Sequence, residues 1–235
     1  MKQLIRTAAL VLALLLLAGC GAAADPNPET TGAAMEATLP TEPPETTAPV
    51  EPTPAPAGFD AVYADICRLL DSGDRDLEYA YATQGMVEIA AFLPTAEERY
   101  ASITYALEDL DGDGRAEMIV LDAMGNTRIL GIYAIRDGVP VMTHEGWSRS
   151  RLYRLSDGTL YSEGSGGAAY AIFEAYGQCW FTWPKDEDQM EIGFYHAADG
   201  TYDPAAAEEI TADEYEAKQI VLAQKISAFE ARNFG

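Results

Sequence analysis

The sequence predicts an α+β fold, an antiparallel β-meander of about seven to nine strands flanked by N-terminal and C-terminal helices. Apolar residues recur at helical spacing over 59–71 and again after residue 211. Between these two regions, short apolar runs are separated by Asp-Gly turn signals at 137–138, 157–158 and 199–200. Because the helices flank the strands instead of alternating with them, the pattern favours α+β over a parallel α/β sheet.

Two helices are predicted before the first strand. An amphipathic helix over 59–71 is indicated by four apolar residues at helical spacing, Phe59, Val62, Ile66 and Leu69. A second helix is predicted around Tyr79–Phe92, and Pro94 ends it because proline lacks the backbone donor that a helix needs.

The strands follow from alternation and from turn residues. Ile103, Tyr105 and Leu107 alternate and predict a strand that leads into an acidic loop, and Met118–Leu121 after the loop is typical of a strand buried on both faces. Further strands are predicted at 129–135, 139–143, 150–155, 159–163, 168–176, 179–183 and 190–196.

A capping box predicts the last helix. Thr211 and Glu214 have the spacing at which each side chain accepts a hydrogen bond from the other residue's backbone N–H. We expect this helix to continue to about Arg232. Its buried stripe is predicted to contain Tyr215, Leu222, Ile226 and Phe229.

The N-terminus has the features of an export signal. Lys2 and Arg6 precede an apolar run of 11 residues, Ala8–Ala18, which is too short to span a bilayer core of about 30 Å as a helix. The run ends in the lipobox Leu17-Ala18-Gly19-Cys20. This arrangement resembles a bacterial lipoprotein precursor, which implies that residues 1–19 are a signal peptide and that Cys20 is lipidated after cleavage.

Residues 20–57 are predicted to be a disordered tether. Nine of the 13 prolines lie in 21–57, together with six acids, many Ala and Thr, and no Lys or Arg. Such a composition cannot bury enough apolar surface to fold. A single globular domain is expected at 58–235, long enough for one sizeable core.

Net charge excludes one class of partner. The whole chain carries −23, which becomes −25 once Lys2 and Arg6 are removed with the signal peptide. A surface this acidic repels nucleic acid and anionic lipid headgroups, so we expect no nucleic-acid partner. Attachment to the membrane would then depend on acyl chains at Cys20.

The most definite chemical signal is the acidic loop at 109–117. Its side-chain oxygens fall at loop positions 1, 3, 5 and 9, with a glycine at position 6. Four carboxylates this close repel one another unless a cation lies among them, and this spacing suits Ca²⁺. The predicted ligands are the carboxylates of Asp109, Asp111, Asp113 and Glu117 and the backbone carbonyl of Arg115.

A loop followed at once by a strand resembles the DxDxDGxxD/E calcium loop of FG-GAP and VCBS-type repeats. That resemblance implies a structural calcium ion held by the same five residues, although Glu117 replaces the more usual aspartate. The sequence contains no second copy of the loop, so a propeller of repeated blades is not predicted. The alternative is an ordinary Asp-Gly turn without an ion, since both residues tolerate tight-turn dihedrals.

Motifs for catalysis are weak. The two histidines, His144 and His196, form no zinc-binding pair, no GxSxG surrounds a serine, and Gly164–Gly167 lacks the lysine of a phosphate loop. A glycosidase needs only two carboxylates. The nominal candidates are Glu145, Glu163, Glu174 and the run Asp186-Glu187-Asp188, each of which is otherwise a solvated charge.

Aromatic residues suggest a binding surface. Trp147, Trp180 and Trp183 can form a platform for a sugar or a peptide, with Arg149 and Arg151 nearby, or they can be core residues. The two cysteines that remain beside Cys20 are Cys67 and Cys179, which either pair or are buried free thiols.

Lipobox, acidic tether and DxDGDGxxE loop together resemble surface lipoproteins of Gram-positive, Clostridia-type bacteria. We therefore expect a lipid-anchored protein on the extracellular face of the cell membrane. Its domain is expected to carry a structural calcium site and to act as a noncatalytic binding module whose partner is an envelope protein or a glycan. The alternative is a secreted carbohydrate- or peptidoglycan-directed hydrolase that uses paired carboxylates.

Overall fold

The computed structural model describes residues 54–167 and 169–235, which contain four helices and eleven strands. The helices are α1 (Asp60–Ser72), α2 (Gln84–Ala91), α3 (Ala96–Ser102) and α4 (Ala212–Ala223). The strands are β1 (Ile103–Glu108), β2 (Glu117–Asp122), β3 (Arg128–Arg136), β4 (Val139–Glu145), β5 (Ser150–Arg154), β6 (Leu160–Gly167), β7 (Tyr170–Ala175), β8 (Gln178–Pro184), β9 (Ile192–Ala197), β10 (Glu208–Ile210) and β11 (Arg232–Asn233). The predicted signal peptide, Cys20 and the predicted tether up to residue 53 lie outside the described residues.

The strands form one antiparallel sheet in the order β10-β9-β8-β7-β6-β5-β3-β2-β1-β11, and β4 pairs with β3 beside this path. Strands that follow one another in the chain are therefore neighbours over most of the sheet. The predicted α+β fold, with a meander and helices at its N- and C-terminal regions, is confirmed. The described sheet has two strands more than the upper expectation of nine, and its shortest strands are β10 and β11.

Strand β2 is buried on both faces, as its apolar run predicts. Met118 and Val120 pack against α1, α2 and α3 in one hydrophobic cluster. Ile119 and Leu121 point to the opposite face, where they pack with Phe229 in a second cluster. The alternation of the strand divides its side chains between the two faces, so β2 lies at the centre of the helical half of the domain.

Helix α4 covers one face of the other half of the sheet. Its residues Tyr215 and Leu222 are buried in a cluster with Phe173 of β7 and Trp180 of β8. Thr211 and Glu214 form the predicted capping box, since the Thr211 hydroxyl accepts from the Glu214 N–H at 3.2 Å and the Glu214 carboxylate accepts from the Thr211 N–H at 2.8 Å.

Helix α4 ends at Ala223, nine residues before the predicted end at Arg232. The chain beyond it pairs with other strands. Ser227 donates its N–H to the Arg154 carbonyl at 2.9 Å, Phe229 donates to Asn126 at 3.0 Å, and β11 then pairs with β1. Tertiary hydrogen bonds thus override the helical spacing of Ile226 and Phe229, although Phe229 is still buried.

The helical region before β1 also differs from prediction. Helix α2 begins at Gln84 and not near Tyr79. The segment before it lies outside the helix, and its Tyr81 N–H donates to the Asp65 carboxylate at 2.7 Å. Helix α3 was not predicted. Its signal was present in the sequence, since Thr95 and Glu98 form a second capping box.

The two cysteines of the domain are free thiols. Cys67 packs at the edge of the cluster beneath α1, whereas Cys179 is buried in a separate cluster on β8. Within residues 54–167 and 169–235, no helix has the length and the apolar character needed to cross a membrane.

A buried arginine joins α3 to the end of α1. The Arg99 guanidinium donates to the carbonyls of Leu70 and Asp71, both at 2.6 Å, and to the carbonyl of Leu93 at 2.9 Å. The residue is 6% exposed. These acceptors include the unpaired carbonyls at the C-terminus of α1, where a positive charge is favourable. Gly73 adopts a left-handed φ of 62°, and a Cβ there would lie 2.9 Å from the guanidinium.

We expect Arg99→Met to lower the free energy of unfolding by about 2–4 kcal/mol, because one buried and two partly buried carbonyls would lose their donor. Urea unfolding of the variant and the parent chain measures this difference. Arg75→Met, which removes an exposed arginine, is the matched control and should change stability by less than about 0.5 kcal/mol. Equal losses in the two variants would contradict the role given to Arg99.

Candidate metal centre

The acidic loop joins β1 to β2, the two strands at the centre of the helical half of the sheet. The strands are in register up to the pair Glu108 and Glu117, which lie opposite each other at the mouth of the loop. Glu108 forms an ion pair with Arg154 of β5. The loop therefore projects from a well-packed hairpin, and its position is set by the strands on either side.

The backbone of the loop is folded by its own aspartates. The Asp109 carboxylate accepts from the N–H groups of Gly112 at 2.8 Å and Gly114 at 2.9 Å. Asp111 accepts from the Asp113 N–H at 3.1 Å, and Asp113 accepts from the Arg115 N–H at 2.8 Å. The Asp111 and Asp113 bonds are Asx turns, and the two Asp109 bonds close the wider bend of the loop by satisfying further backbone donors.

Two glycines allow this curvature. Gly112 has a φ of 77° and Gly114 has a φ of 85°, in the left-handed region that glycine enters at least cost. An added Cβ at either position would meet no atom within 4 Å. The requirement for glycine is thus conformational and not steric, as the sequence predicted for Gly114.

Three of the predicted ligands converge. One carboxylate oxygen from each of Asp109, Asp111 and Glu117 lies within 4.8 Å of the other two. The two aspartates are exposed, whereas Glu117 is 6% exposed and accepts from the Leu110 N–H at 2.8 Å. An all-oxygen set with a buried acid at its base fits a hard cation such as Ca²⁺.

Asp113 and Arg115, the other two predicted ligands, are not part of this trio of carboxylates. Asp113 is exposed and its carboxylate is engaged with the Arg115 N–H. The five-residue ligand set therefore stays a prediction, of which the loop brings three carboxylates together.

The electrostatics of the cluster centre on Glu117. Burial raises the pKa of its carboxyl, the Leu110 N–H opposes this by lowering the pKa, and the charges of Asp111 and Asp113 raise it further. Desolvation and the neighbouring acids thus make the ionised form of Glu117 energetically unfavourable. A divalent cation would remove that cost, because it would compensate all three charges at once.

A cavity of about 220 Å³ adjoins the cluster. The cavity is lined by Asp111, Asp113 and Glu117 and by apolar side chains of β3 and β6, which include Ile132 and Leu160. His144 also lines it, and desolvation lowers the pKa of this imidazole. The cavity therefore reaches Asp111 and the buried Glu117, whereas Asp109 does not line it.

Four of the six nominal catalytic carboxylates have structural partners. Glu145 accepts from the Gln84 N–H at the start of α2 at 2.8 Å, and Glu163 forms an ion pair with Arg151 at 3.1 Å. Glu174 accepts from a serine hydroxyl of β6 at 2.8 Å. The first acid of the 186–188 run accepts from two backbone N–H groups of the turn that follows it.

The three tryptophans do not form one platform. Trp180 and Trp183 lie on opposite faces of β8, since Trp180 is buried beneath α4 and Trp183 lies on the other face. Trp147 lies in the turn between β4 and β5 and pairs with Ser150. An odd separation along a strand places two residues on opposite faces, a signal that was available in the sequence.

Comparisons with protein-family models, curated proteins and solved structures produced no match for this chain. The resemblances to FG-GAP and VCBS-type loops and to Gram-positive surface lipoproteins therefore stay predictions. Function is inferred below from the residues and contacts of the chain itself.

We expect Glu117→Gln to raise the free energy of unfolding at pH 7 in metal-free buffer. Glutamine keeps an oxygen for the Leu110 N–H but carries no charge. A folded-state pKa above the ordinary value of 4.5 means that ionisation of Glu117 opposes folding above that pH, and the cost disappears below it. The gain should therefore shrink at pH 3.5.

Urea unfolding at pH 7 and pH 3.5 measures this difference. Glu230→Gln, which neutralises an exposed carboxyl, controls for the general relief of negative charge. If Glu117→Gln gains no more than this control at pH 7, the proposed cost of the buried carboxylate is wrong.

Proposed function

We propose that this domain is a Ca²⁺-stabilised, noncatalytic binding module of a lipid-anchored protein exposed on the cell surface. The observation that carries the calcium assignment is the convergence of Asp109, Asp111 and Glu117 within 4.8 Å. Ca²⁺ takes six to eight oxygen ligands in flexible geometry, so three carboxylates would supply part of its shell. The predicted Arg115 carbonyl and water would complete it.

The donor set favours Ca²⁺ over other ions. The three converging residues offer only carboxylate oxygens, without the histidine or cysteine that zinc prefers. Mg²⁺ demands a near-ideal octahedron and is usually bound through one or two carboxylates, whereas three converging carboxylates on a flexible turn suit Ca²⁺ better.

A structural role follows from where the loop lies. Asp109 comes directly after β1, and Glu117 is the first residue of β2. An ion held by both would link the ends of two adjacent strands that run through the core. Binding to the folded state alone stabilises it by mass action.

Contacts of the carboxylates favour binding over the hydrolase alternative. A glycosidase needs one carboxyl group free to protonate the leaving group and a second that is free to attack the sugar, in a retaining enzyme, or to activate water, in an inverting enzyme. Glu145, Glu163 and Glu174 instead hold a helix start, an arginine and a serine. Their hydrogen bonds give each a structural purpose.

The proposed location rests on the N-terminal sequence. The lipobox at 17–20 and the Pro-rich, acidic segment after it are those of an anchored domain held away from a membrane. We place the domain on the extracellular face of the cell membrane, attached through acyl chains on Cys20.

Thermal unfolding tests the calcium site. For the chain from residue 21 onward, Ca²⁺ at about 100 times its dissociation constant should raise the Tm by about 5–10 °C relative to excess EGTA. Glu117→Gln and Asp111→Asn should lose this increase because each removes one of the converging charges.

Asp188→Asn is the matched control, because it removes an exposed acid from a different acidic run and should keep the full increase. Equal Tm values of the parent chain in Ca²⁺ and in EGTA would show that the loop is an ordinary acidic turn.

Metabolic labelling tests the anchor. The full-length chain, expressed in a bacterial host supplied with labelled palmitate, should carry label and sediment with membranes. Cys20→Ala should lose both properties, whereas Cys67→Ala should keep them because Cys67 lies in the folded domain. Label on the Cys20→Ala chain would contradict the assignment.

A further inference from the structure

The face of the sheet opposite α4 carries a row of aromatic side chains. Phe181 and Trp183 alternate along β8 and point to this face, and Tyr170 of β7 lies beside Trp183 in the ladder. Tyr202, from the segment between β9 and β10, packs over both Phe181 and Trp183. We call Tyr170, Trp183 and Tyr202 the aromatic trio.

A groove of about 560 Å³ runs along the trio. Its other wall is polar and includes Arg149, Ser150 and Ser165 of the neighbouring strands and turn. A second groove, of about 360 Å³, shares Tyr170 and Trp183 with the first and continues past them to Lys185 and Gln189. The aromatic trio thus lies in the middle of one elongated depression.

The rings of the trio meet at steep angles. Tyr170 and Trp183 are 5.3 Å apart at 89°, and Trp183 and Tyr202 are 5.5 Å apart at 66°. Tyr202 is 41% exposed, and the other two rings are partly exposed. Such rings present apolar surface next to hydroxyl groups, as in binding sites where one side of a ligand is apolar and its edge is polar.

Glycines keep the depression open beside the rings. Gly193 lies opposite Trp183 across the β8–β9 ladder, and a Cβ there would meet the Tyr195 ring at 2.7 Å. Gly164 lies opposite Ile172 on the other side. The Tyr195 ring already occupies the space beside Gly193, whereas Gly164 and Gly166 line the first groove, where a side chain would reduce its volume.

Charge narrows the ligand class. The domain is strongly acidic, which disfavours a polyanion. The first groove is lined by no acidic residue, and the exposed Arg149 side chain has no hydrogen bond or ion pair to the described part of the chain. Lys185, in the second groove, is neutralised by Glu209 and Glu191. A neutral, hydroxyl-rich ligand therefore meets no acid in the first groove, and it carries no charge for Asp186 and Glu187, which line the second groove, to repel.

We propose that this depression binds a neutral oligosaccharide laid across strands β5 to β8. The C–H faces of sugar rings stack on the aromatic trio, and their hydroxyls bond to the Arg149 guanidinium and to the hydroxyl of Ser150, which the strand pairing places on the same face as the trio. Four neighbouring strands extend for about 14 Å, enough to hold several sugar rings. The first groove has no carboxylate, and in the second groove Asp186 is engaged by two backbone N–H groups, which leaves Glu187 without a second free carboxyl group, so the glycan is held and not cleaved.

This inference gives a ligand class to the binding module proposed above, but it uses a different part of the sheet from the acidic loop. Neither the aromatic trio nor Arg149 belongs to the calcium cluster. Chelation of Ca²⁺ is therefore expected to lower the Tm of the domain and to leave glycan affinity at 25 °C unchanged within about twofold.

The full-length chain in detergent is tested on a microarray of neutral glycans that includes β-glucans, xylans, mannans, starch fragments and chitin oligosaccharides. Calorimetric titration with the most tightly bound oligosaccharide then gives its dissociation constant. We expect Trp183→Ala and Tyr202→Ala each to weaken binding about tenfold or more, as removal of a central aromatic contact does in other interfaces.

Phe92→Ala is the matched control, since Phe92 is an exposed aromatic residue, 86% accessible, outside the depression. Trp183→Phe guards against misfolding, because it keeps a ring and should retain part of the affinity and the parental Tm. Failure of every neutral glycan to bind would overturn the proposal, as would equal affinity of the parent chain and Trp183→Ala. Loss of binding in Ca²⁺ chelator alone would also overturn the independence of the two sites.

Discussion

Mutual repulsion among carboxylates at one hairpin is the constraint on which this domain depends. The loop between β1 and β2 brings three acids within 4.8 Å, and one of them, Glu117, is buried at the first residue of a strand that packs on both faces. Glu117 cannot move away without disturbing β2, whose residues belong to two hydrophobic clusters, whereas Asp109 and Asp111 are exposed. A cation at this point would therefore act on the centre of the fold and not on a peripheral turn.

Local signals predicted much of the fold. The helical spacing of α1, the capping box of α4, and the Asp-Gly turns each depend on residues a few positions apart, and each is found in the structure. The same holds for Gly114, the glycine at position 6 of the acidic loop, which has the positive φ that a sharp turn needs. Helices and turns that depend on residues close together in the chain could therefore be predicted from the sequence.

Contacts between distant residues could not be predicted in this way. The tail after Ala223 leaves its helix because Arg154 and Asn126, far away in sequence, accept its backbone donors. Arg99 stabilises the end of a helix about 30 residues before it. The aromatic trio comes from two strands and a connecting segment, so its members share no spacing. Of the features of this aromatic surface, only the placement of Trp180 and Trp183 on opposite faces of β8 could have been predicted from the sequence.

The central claim is that the oxygens of the β1–β2 loop share one cation. A crystal structure of the domain grown with Ca²⁺, with anomalous diffraction to locate the ion, tests this most directly. We predict a single ion within about 2.3–2.6 Å of oxygens from Asp109, Asp111 and Glu117. A well-ordered loop with no anomalous peak among these three residues at saturating Ca²⁺ would contradict the account.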